Sequence, residues 1–264
     1  MTQQPPRFND GAAYERGMAG WSQLVGNVFL DWLAPPPGLR WIDIGCGNGA
    51  FTELLIQRCA PAETQGIDPS EAQLAFARTR PAARDAAFLL GDAMALPFGV
   101  DRFDAAVMAL VIFFVPDPVK ALAEMKRVVA PGGTVAAYVW DIFGGGSPGE
   151  PVQIEMRAAG ITQPRPPSAG ASRMEALRDL WTGAGLEAVE TRDIAVRRSF
   201  ASFEDFWRSC SAMTSIGPPL AAMAAGDVEQ LKTRVRVRVG AEADGPVVCH
   251  ARANAIKGRV PKSS

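Results

Sequence analysis

Cysteine and histidine are scarce in this 264-residue sequence, and their scarcity limits the chemistry that the chain supports. The four cysteines are far apart and form no C-x-x-C pair, so we expect neither a disulfide framework nor a zinc site, and a reducing cytoplasm as the location. These cysteines are Cys46, Cys59, Cys210 and Cys249. The single histidine, His250, falls in the last strand-like segment, where we expect a structural role.

The chain also lacks an excess of charge and a long apolar run. Its 27 basic residues nearly balance its 28 acidic residues, so we expect neither a nucleic-acid surface nor a polybasic membrane patch. The longest apolar run, at 105–115, is shorter than the about 20 residues that span a bilayer, and it is interpreted as a buried strand. The first ten residues have no apolar core, so no signal peptide is expected.

Short apolar runs alternate with helical patterns over the first half of the chain. The predicted strands lie at 40–44, 64–67, 87–90, 103–110 and 133–140, and the predicted helices at 12–33, 50–58, 70–79 and 118–129. Ser70 and Gln73 form a capping box at the start of the third of these helices. The alternation predicts an α/β protein, in which helices cover both faces of a parallel sheet.

Residues 142–171 interrupt this alternation because they are rich in Gly, Pro, Ser and Ala. We interpret them as a lid or as a partly disordered excursion. Beyond them, the predicted helices lie at 172–183, 203–210 and 227–240, and the predicted strands at 187–196 and 247–257. The run R-V-R-V-R-V also fits a strand, but Asp227 as an N-cap and Gly240 at the end favour a helix.

The run W-I-D-I-G-C-G-N-G at residues 41–49 is the most informative motif. Gly45, Gly47 and Gly49 follow a predicted strand and precede a predicted helix. Glycine has no Cβ, so a strand-to-helix turn of this kind lets the backbone approach a ligand closely. Because a glycine-rich turn alone has little specificity, the residues around it must decide what it binds.

Three acidic residues occur at or near the ends of the first three predicted strands. Asp43 precedes the first glycine by two residues, and Asp68 ends the second strand. A nucleotide-binding fold places a carboxylate like that of Asp68 against the two ribose hydroxyls. Asp92 ends the third strand and can accept from the exocyclic amine of adenine, beside the backbone of Ala93 and Met94. The pattern therefore predicts a cofactor that contains adenosine.

The motifs D-I-G-C-G-N-G, I-D-P-S, G-D-A-M-A-L-P-F, F-D-A-A-V-M-A-L and R-V-V-A-P-G-G together resemble class I S-adenosylmethionine-dependent methyltransferases, strongly over residues 40–140. The chain is most similar to their small-molecule "type 11" set. The resemblance implies a doubly wound Rossmann-like fold, with a seven-stranded, mostly parallel sheet, an antiparallel last strand and helical cover elements. It also implies one methyltransferase domain over 1–264, divided into an N-terminal cover (1–38), a cofactor-binding core (39–141), a substrate-side region (142–246) and the final strand (247–264).

The resemblance implies S-adenosylmethionine as the cofactor and a small molecule as the substrate, with no metal, nucleic acid or membrane partner. By that resemblance, Asp43 holds the ammonium of the methionine part, Asp68 the ribose and Asp92 the adenine. Tyr14 closes over the cofactor from the N-terminal helix. The remaining implied cofactor contacts are Gly45, Cys46, Gly47, Gly49, Pro69, Ser70, Ala93, Met94, Ala109 and Leu110.

Aromatic residues indicate the acceptor side, because aromatic faces attract a sulfonium. The candidates for the substrate pocket are Trp21, Phe113, Trp140 and Trp207. Many relatives carry a histidine near the position of Phe113, so we do not expect a histidine-dependent proton abstraction here. Asp141, just past the fifth strand, is the candidate general base for an acceptor that needs one.

Methyl transfer by in-line displacement is the favoured function, since the sulfonium already activates its methyl group and the protein has to align the acceptor and exclude water. Two alternatives stay open. A non-catalytic S-adenosylmethionine binder fits the apolar pocket without a histidine. A nicotinamide-dependent oxidoreductase also uses a glycine turn, although with G-x-G-x-x-G rather than G-x-G-x-G. The acceptor, the methylated atom and the oligomeric state are left open.

Overall fold

The computed structural model describes residues 17–18, 20–242 and 245–262. Within them, seven strands form one sheet: β1 Arg40–Ile44, β2 Glu63–Asp68, β3 Ala87–Leu90, β4 Phe103–Ala109, β5 Val129–Trp140, β6 Glu187–Phe200 and β7 Val247–Arg259. The strand order is β3-β2-β1-β4-β5-β7-β6. The pairs among β1 to β5 are parallel, and β7 is antiparallel to both of its neighbours. The expected mostly parallel sheet with an antiparallel last strand is confirmed.

Helices connect these strands and cover the sheet. The helices of the described residues are α1 Gly20–Leu33, α2 Ala50–Cys59, α3 Glu71–Ala77, α4 Pro118–Val128, α5 Glu150–Ala158, α6 Met174–Gly183, α7 Phe203–Ser211, α8 Gly217–Ala221 and α9 Ala225–Arg238. Short 3₁₀ turns occur at Pro81–Ala83, Ile112–Phe114 and Ala169–Ser172. Among these helices of the described part, none has the length and apolar character needed to cross a membrane.

Both faces of the sheet are buried, which explains the continuous apolar strands. On one face, Phe29 of α1 packs against Tyr138 of β5, with ring centroids 4.8 Å apart. On the other face, Met125 of α4 and Trp181 of α6 belong to a second cluster, and the Trp181 indole donates to the carbonyl of Val135 at 3.0 Å. This two-sided packing leaves the strand ends as the place for a site.

Side-chain caps begin α3 and α4, and the first of these caps was predicted. Ser70 is the N-cap of α3, where its hydroxyl accepts from the Gln73 backbone N–H at 3.4 Å. Asp117 caps α4 in the same way by accepting from the Lys120 N–H at 3.0 Å, and Pro118 occupies the first turn. Each cap satisfies a helix N–H that has no partner within the helix.

The structure adds a helix to the predicted elements and corrects one predicted helix cap. Residues 142–171, interpreted as a lid or as a partly disordered excursion, contain α5 and the start of a 3₁₀ turn. Val152 and Met156, four residues apart, are fully buried, so burial of one face stabilises a helix between Gly- and Pro-rich flanks. The helix at 227–240 is confirmed, but it begins at Ala225 with Ala224 as its N-cap, so Asp227 lies in the first turn instead.

Candidate functional site

A cleft of about 360 Å³ lies at the carboxyl ends of β1, β2 and β4. Sheets of this kind bind ligands at this edge, where the strand order reverses on either side of the first strand. The structure brings eleven of the predicted cofactor-site residues into its wall. They are Asp43, Gly45, Cys46, Gly47, Asp68, Pro69, Ser70, Asp92, Ala93, Ala109 and Leu110.

The glycine turn after β1 has a left-handed backbone, with φ of +74° at Gly45 and +53° at Gly47. The Gly45 N–H donates to the carbonyl of Ile67 at 2.7 Å, which ties the turn to β2. A Cβ at Gly45 would lie 2.5 Å from the side chain of Val111, so packing requires glycine there. A Cβ at Gly47 would meet nothing closer than the Gly45 carbonyl at 4.0 Å. Gly47 therefore presents bare backbone to the cleft.

Gly49 and Met94 do not line this cleft. Gly49 is the N-cap of α2 with φ of +77°, and a Cβ there would lie 2.9 Å from the Cβ of Ala77. This glycine therefore allows α2 and the end of α3 to approach closely. The Met94 backbone N–H donates to the carboxylate of Asp92 at 2.8 Å, so Met94 helps to hold the turn after β3.

Asp43 is a fully buried carboxyl group at the end of β1. Its Oδ2 accepts from the hydroxyl of Thr52 at 2.6 Å, and its Oδ1 has no hydrogen-bond partner among the described residues. Burial raises the pKa of Asp43 to about 7, and the nearby charge of Asp68 adds to the increase. A buried oxygen without a partner is costly, so a cation in the cleft would stabilise this group.

Asp68 is held by the backbone at the end of β2. Its Oδ2 accepts from the Gly47 N–H and its Oδ1 from the Ser70 N–H, both at 2.9 Å. Burial raises the pKa of Asp68 above its usual value. Each carboxylate oxygen can still accept another hydrogen bond, as contact with ribose hydroxyls requires.

The cleft wall also contains residues that the sequence analysis did not assign to the cofactor site. They are Ser22, Asn48, Ala50, Phe51, Ile67, Gln73, Gly91, Val111, Phe114, Val115, Pro116 and Tyr138. Asn48, Ile67 and Gly91 belong to motifs quoted from the sequence, whereas residues such as Ser22, Phe114 and Tyr138 reach the cleft through the packing of distant elements. Leu110 has φ of +64°, a strained conformation for a non-glycine residue, and its N–H donates to the Tyr138 carbonyl at 2.8 Å.

The four aromatic residues expected at the acceptor side do not line this cleft. Trp21 and Trp140 are buried in the core on one face of the sheet, and Phe113 is buried on the other face. Trp207 stacks on Phe203 with ring centroids 6.3 Å apart. Tyr14, the expected cofactor clamp, lies outside the described residues.

Asp141 also lies away from the cleft wall. Its Oδ2 forms an ion pair with Nη2 of Arg252 at 2.6 Å, and its Oδ1 accepts from the Gly144 N–H at 2.9 Å. The Arg252 guanidinium donates to the Gly144 carbonyl as well, at 3.0 Å. Asp141 is therefore placed to anchor the glycine-rich loop that follows β5.

Comparison with known proteins places this geometry in a family. Residues 42–137, which contain the three aspartates and the glycine turn, match the family described as "Methyltransferase domain". This region is a class I methyltransferase domain. S-adenosylmethionine is the cofactor of the domain, and the cleft fits that molecule. Asp43 has an oxygen for its ammonium, Gly47 leaves room beside the backbone, and Asp68 can accept from its ribose.

The relatives are similar over the same region. The ubiquinone/menaquinone biosynthesis C-methyltransferase UbiE of Cereibacter sphaeroides is 36% identical over 118 residues, which are 43% of this chain and 47% of that protein. The malonyl-[acyl-carrier protein] O-methyltransferase of Methylococcus capsulatus is 34% identical over 128 residues, covering 48% of this chain and 45% of that protein. The chain thus spans just under half the length of these relatives.

Solved structures are similar to this chain in fold over nearly its whole length, beyond the region that matches the methyltransferase domain. Phosphoethanolamine N-methyltransferase 2 of Haemonchus contortus, in complex with S-adenosyl-L-methionine, has a TM-score of 0.60 at 18% identity and covers 97% of this chain and 58% of that one. The 4+2 cyclase SpnF has a TM-score of 0.56 at 20% identity and covers 91% of this chain and 81% of that one. The second case shows that one fold carries different chemistries.

Proposed function

We propose that this protein transfers the methyl group of S-adenosylmethionine to a small-molecule acceptor. The observation that carries the proposal is Asp43, a fully buried carboxyl group with one unpartnered oxygen among the described residues, at the glycine-walled end of the cleft. Leaving one oxygen of a buried carboxylate without a partner costs free energy, which a bound ammonium offsets. The methionine end of the cofactor carries that ammonium.

The chain contributes binding and alignment to this reaction, since the bound cofactor supplies a methyl group already activated by the sulfonium. Asp43 binds the ammonium, Asp68 orients the ribose, and Asp92 with the backbone of Ala93 binds the adenine. Leu110, held by the Tyr138 carbonyl, places an apolar side chain at the wall of the cleft and excludes water. Alignment of two reactants in this way contributes roughly 7–11 kcal/mol in favourable cases.

We propose an apolar, ring-containing acceptor that brings its own nucleophile. The 3₁₀ turn after β4 contributes an apolar wall, formed by Val111, Phe114, Val115 and Pro116. Two relatives that are 36% identical over 118 residues have quinones in their names, namely the ubiquinone/menaquinone biosynthesis C-methyltransferase UbiE and the 2-phytyl-1,4-naphtoquinone methyltransferase of Thermosynechococcus vestitus. We further propose that residues 1–264 act as one domain, with 142–246 on the acceptor side and Asp141 as an anchor.

Calorimetric titration with S-adenosylhomocysteine, with NADH as the control, tests the cofactor assignment. We expect binding of S-adenosylhomocysteine alone, and a severalfold or larger loss of affinity in Asp68→Ala because the ribose contact is removed. Asp85→Ala is the matched control, since it removes an exposed carboxylate that does not line the cleft. Binding of NADH instead would support the oxidoreductase, and unchanged affinity in Asp68→Ala would reject the site.

Turnover separates the enzyme from a non-catalytic binder. The protein is incubated with S-adenosylmethionine carrying a labelled methyl group and a panel of reduced naphthoquinones, benzoquinones and phenols. Label in any organic product would establish transfer and identify the class of acceptor. A protein that binds S-adenosylhomocysteine but labels no member of the panel would favour the non-catalytic binder and reject the ring-containing acceptor.

A further inference from the structure

Strand β6 forms one edge of the sheet, and in the described part of the chain its outer side has no neighbouring strand. The strand contains 14 residues, so it extends for roughly 45 Å. Within the described residues, its backbone groups at 188–199 make no backbone hydrogen bond other than those to β7. A long open edge of this kind is a template for pairing with another strand.

The charges along β6 are divided between its two halves. Residues 187–193 contain three acids and one arginine, whereas residues 194–200 contain two arginines and no acid. The charged residues are Glu187, Glu190, Arg192, Asp193, Arg197 and Arg198. Antiparallel pairing of two copies places the acidic half of each opposite the basic half of the other. Parallel pairing would place like charges together, so the pattern favours antiparallel pairing.

Two-fold symmetry restricts the register of such a pair. Residues opposite each other must point to the same face of the sheet, so one residue has to face its own copy. When Ile194 faces its copy, Glu190 lies opposite Arg198 of the other copy, and Asp193 lies diagonally across from Arg197. A shift of one residue in one direction places Asp193 against its own copy, and a shift in the other direction places two arginines opposite each other. The register centred on Ile194 avoids both of these direct oppositions, although Asp193 stays diagonal to its own copy and Arg192 stays diagonal to Arg198.

Arg198 lies on the same face of the sheet as Glu190, and its guanidinium packs within its own chain. The guanidinium lies 4.6 Å from the ring centroid of Phe200, and its Nη1 is buried without a hydrogen-bond partner among the described residues. Burial lowers the pKa of this guanidinium. In the register above, Glu190 of the other copy lies across from Arg198 and on the same face of the sheet.

We propose that two copies of this chain pair antiparallel through β6 and form one continuous sheet. Charges on an edge strand often prevent pairing, and the strand does begin with an irregular register near Ala188, where φ is +47°. The charges of this edge have both signs, however, so two antiparallel copies bring opposite charges together, in addition to the ion pairs of Glu190 with Lys257 and of Asp193 with Arg252 at 3.3 and 3.4 Å. The proposal does not depend on methyl transfer.

Sedimentation equilibrium of the full chain at low salt and micromolar concentration tests the proposal. We expect a mass of twice 28.1 kDa. Arg197→Glu and Asp193→Arg each place like charges across the interface twice, so each should weaken dimerisation by at least about fivefold. The double variant Asp193→Arg/Arg197→Glu restores opposite charges and should restore the dimer. Both side chains are exposed, so the substitutions leave the core intact.

Two controls separate a lost interface from a lost fold. Arg165→Glu makes the same charge change at an exposed loop position and should leave the dimer unchanged. Circular dichroism and affinity for S-adenosylhomocysteine should stay at the unmodified level in every variant, whatever the oligomeric state. A chain that stays monomeric, a dimer that tolerates both single substitutions, or a double variant that stays monomeric would overturn the proposal.

Discussion

Single residues determine how closely a ligand approaches the turn after β1. Gly47 combines a φ of +53° with open space where a Cβ would be, so its replacement adds a methyl group directly beside the cleft. We expect Gly47→Ala to lower affinity for S-adenosylhomocysteine by tenfold or more, as measured by calorimetry. The side chain would occupy the volume that the cofactor needs.

Gly38 provides the matched control for this substitution. It has a φ of +81° and, like Gly47, open space at the Cβ position, but it lies in the turn before β1, outside the cleft wall. Gly38→Ala should therefore lower the free energy of unfolding by a similar amount, about 1 kcal/mol, through backbone strain. It should leave the affinity for S-adenosylhomocysteine unchanged. Equal loss of affinity in both variants would show that strain, rather than contact with the cofactor, explains the effect.

Asp43 makes the stability of the cofactor-free protein depend on pH. Burial raises the pKa of Asp43 from 3.8 to about 7, so the folded protein retains this proton to a higher pH than the unfolded chain does. The contribution of Asp43 to the free energy of unfolding is therefore greatest below the lower value. It declines as pH rises from about 4 to about 7, by up to about 4 kcal/mol.

Asp43→Asn removes that ionisation while keeping the size of the side chain. In urea unfolding without ligand, the stability of the variant relative to the unmodified protein should rise between about pH 5 and pH 8. The Asp43 carboxyl group loses its proton over that range, whereas the amide of the variant has no proton to lose. If the two proteins differ in free energy of unfolding by the same amount at about pH 5 and at about pH 8, the raised pKa of Asp43 is contradicted. The variant should also bind S-adenosylhomocysteine more weakly, since an amide cannot neutralise the ammonium.

At the scale of elements, the glycine-rich loop after β5 is attached to β7 by one ion pair. Asp141 bonds both Arg252 and the Gly144 N–H, so Asp141→Asn weakens the attachment without changing its shape. Since Arg252 is 42% exposed, solvent screens the ion pair. We therefore expect the free energy of unfolding, measured in urea, to fall by no more than about 1 kcal/mol. Affinity for S-adenosylhomocysteine should not change.

The ion pair between Arg157 and Glu150 offers a comparison for the loop. It joins two residues of α5, and Arg157 is 50% exposed. Arg157→Gln should lower the free energy of unfolding by less than about 0.5 kcal/mol, because this ion pair lies within one helix and joins α5 to no other segment. A loss of affinity for the cofactor in Asp141→Asn, with stability unchanged, would contradict the anchoring role and favour a place for Asp141 in the site.

At the scale of the whole molecule, cofactor binding and folding are linked. A ligand that binds only the folded state at a hundred times its dissociation constant adds about 2.7 kcal/mol to the free energy of unfolding. For a chain of this size, that corresponds to a rise in melting temperature of roughly 5–10 °C. Differential scanning fluorimetry with S-adenosylhomocysteine should show the rise, and the same concentration of NADH should not. A rise of equal size with NADH would contradict the specificity of the cleft.

Sequence patterns predicted the elements that depend on local physics. The ends of β1 and β3, the cap at Ser70 and the helix of α4 follow from periodicity, capping and proline placement, which act over a few residues. The helix α5 within residues 142–171 was not predicted because Gly and Pro masked its short apolar stripe. That stripe is stable only against the rest of the core.

The sequence by itself determined the class of fold and the place of the aspartates, because strand ends, glycine turns and acidic residues are encoded locally. Its resemblance to class I methyltransferases indicated the cofactor. Only the tertiary structure decided which distant segments meet. It brought Ser22, Phe114 and Tyr138 to the cleft and left Trp21 and Trp140 in the core. It also paired Asp141 with Arg252, 111 residues away. Such contacts depend on how whole elements pack and where charges find partners, and no short stretch of sequence contains that information.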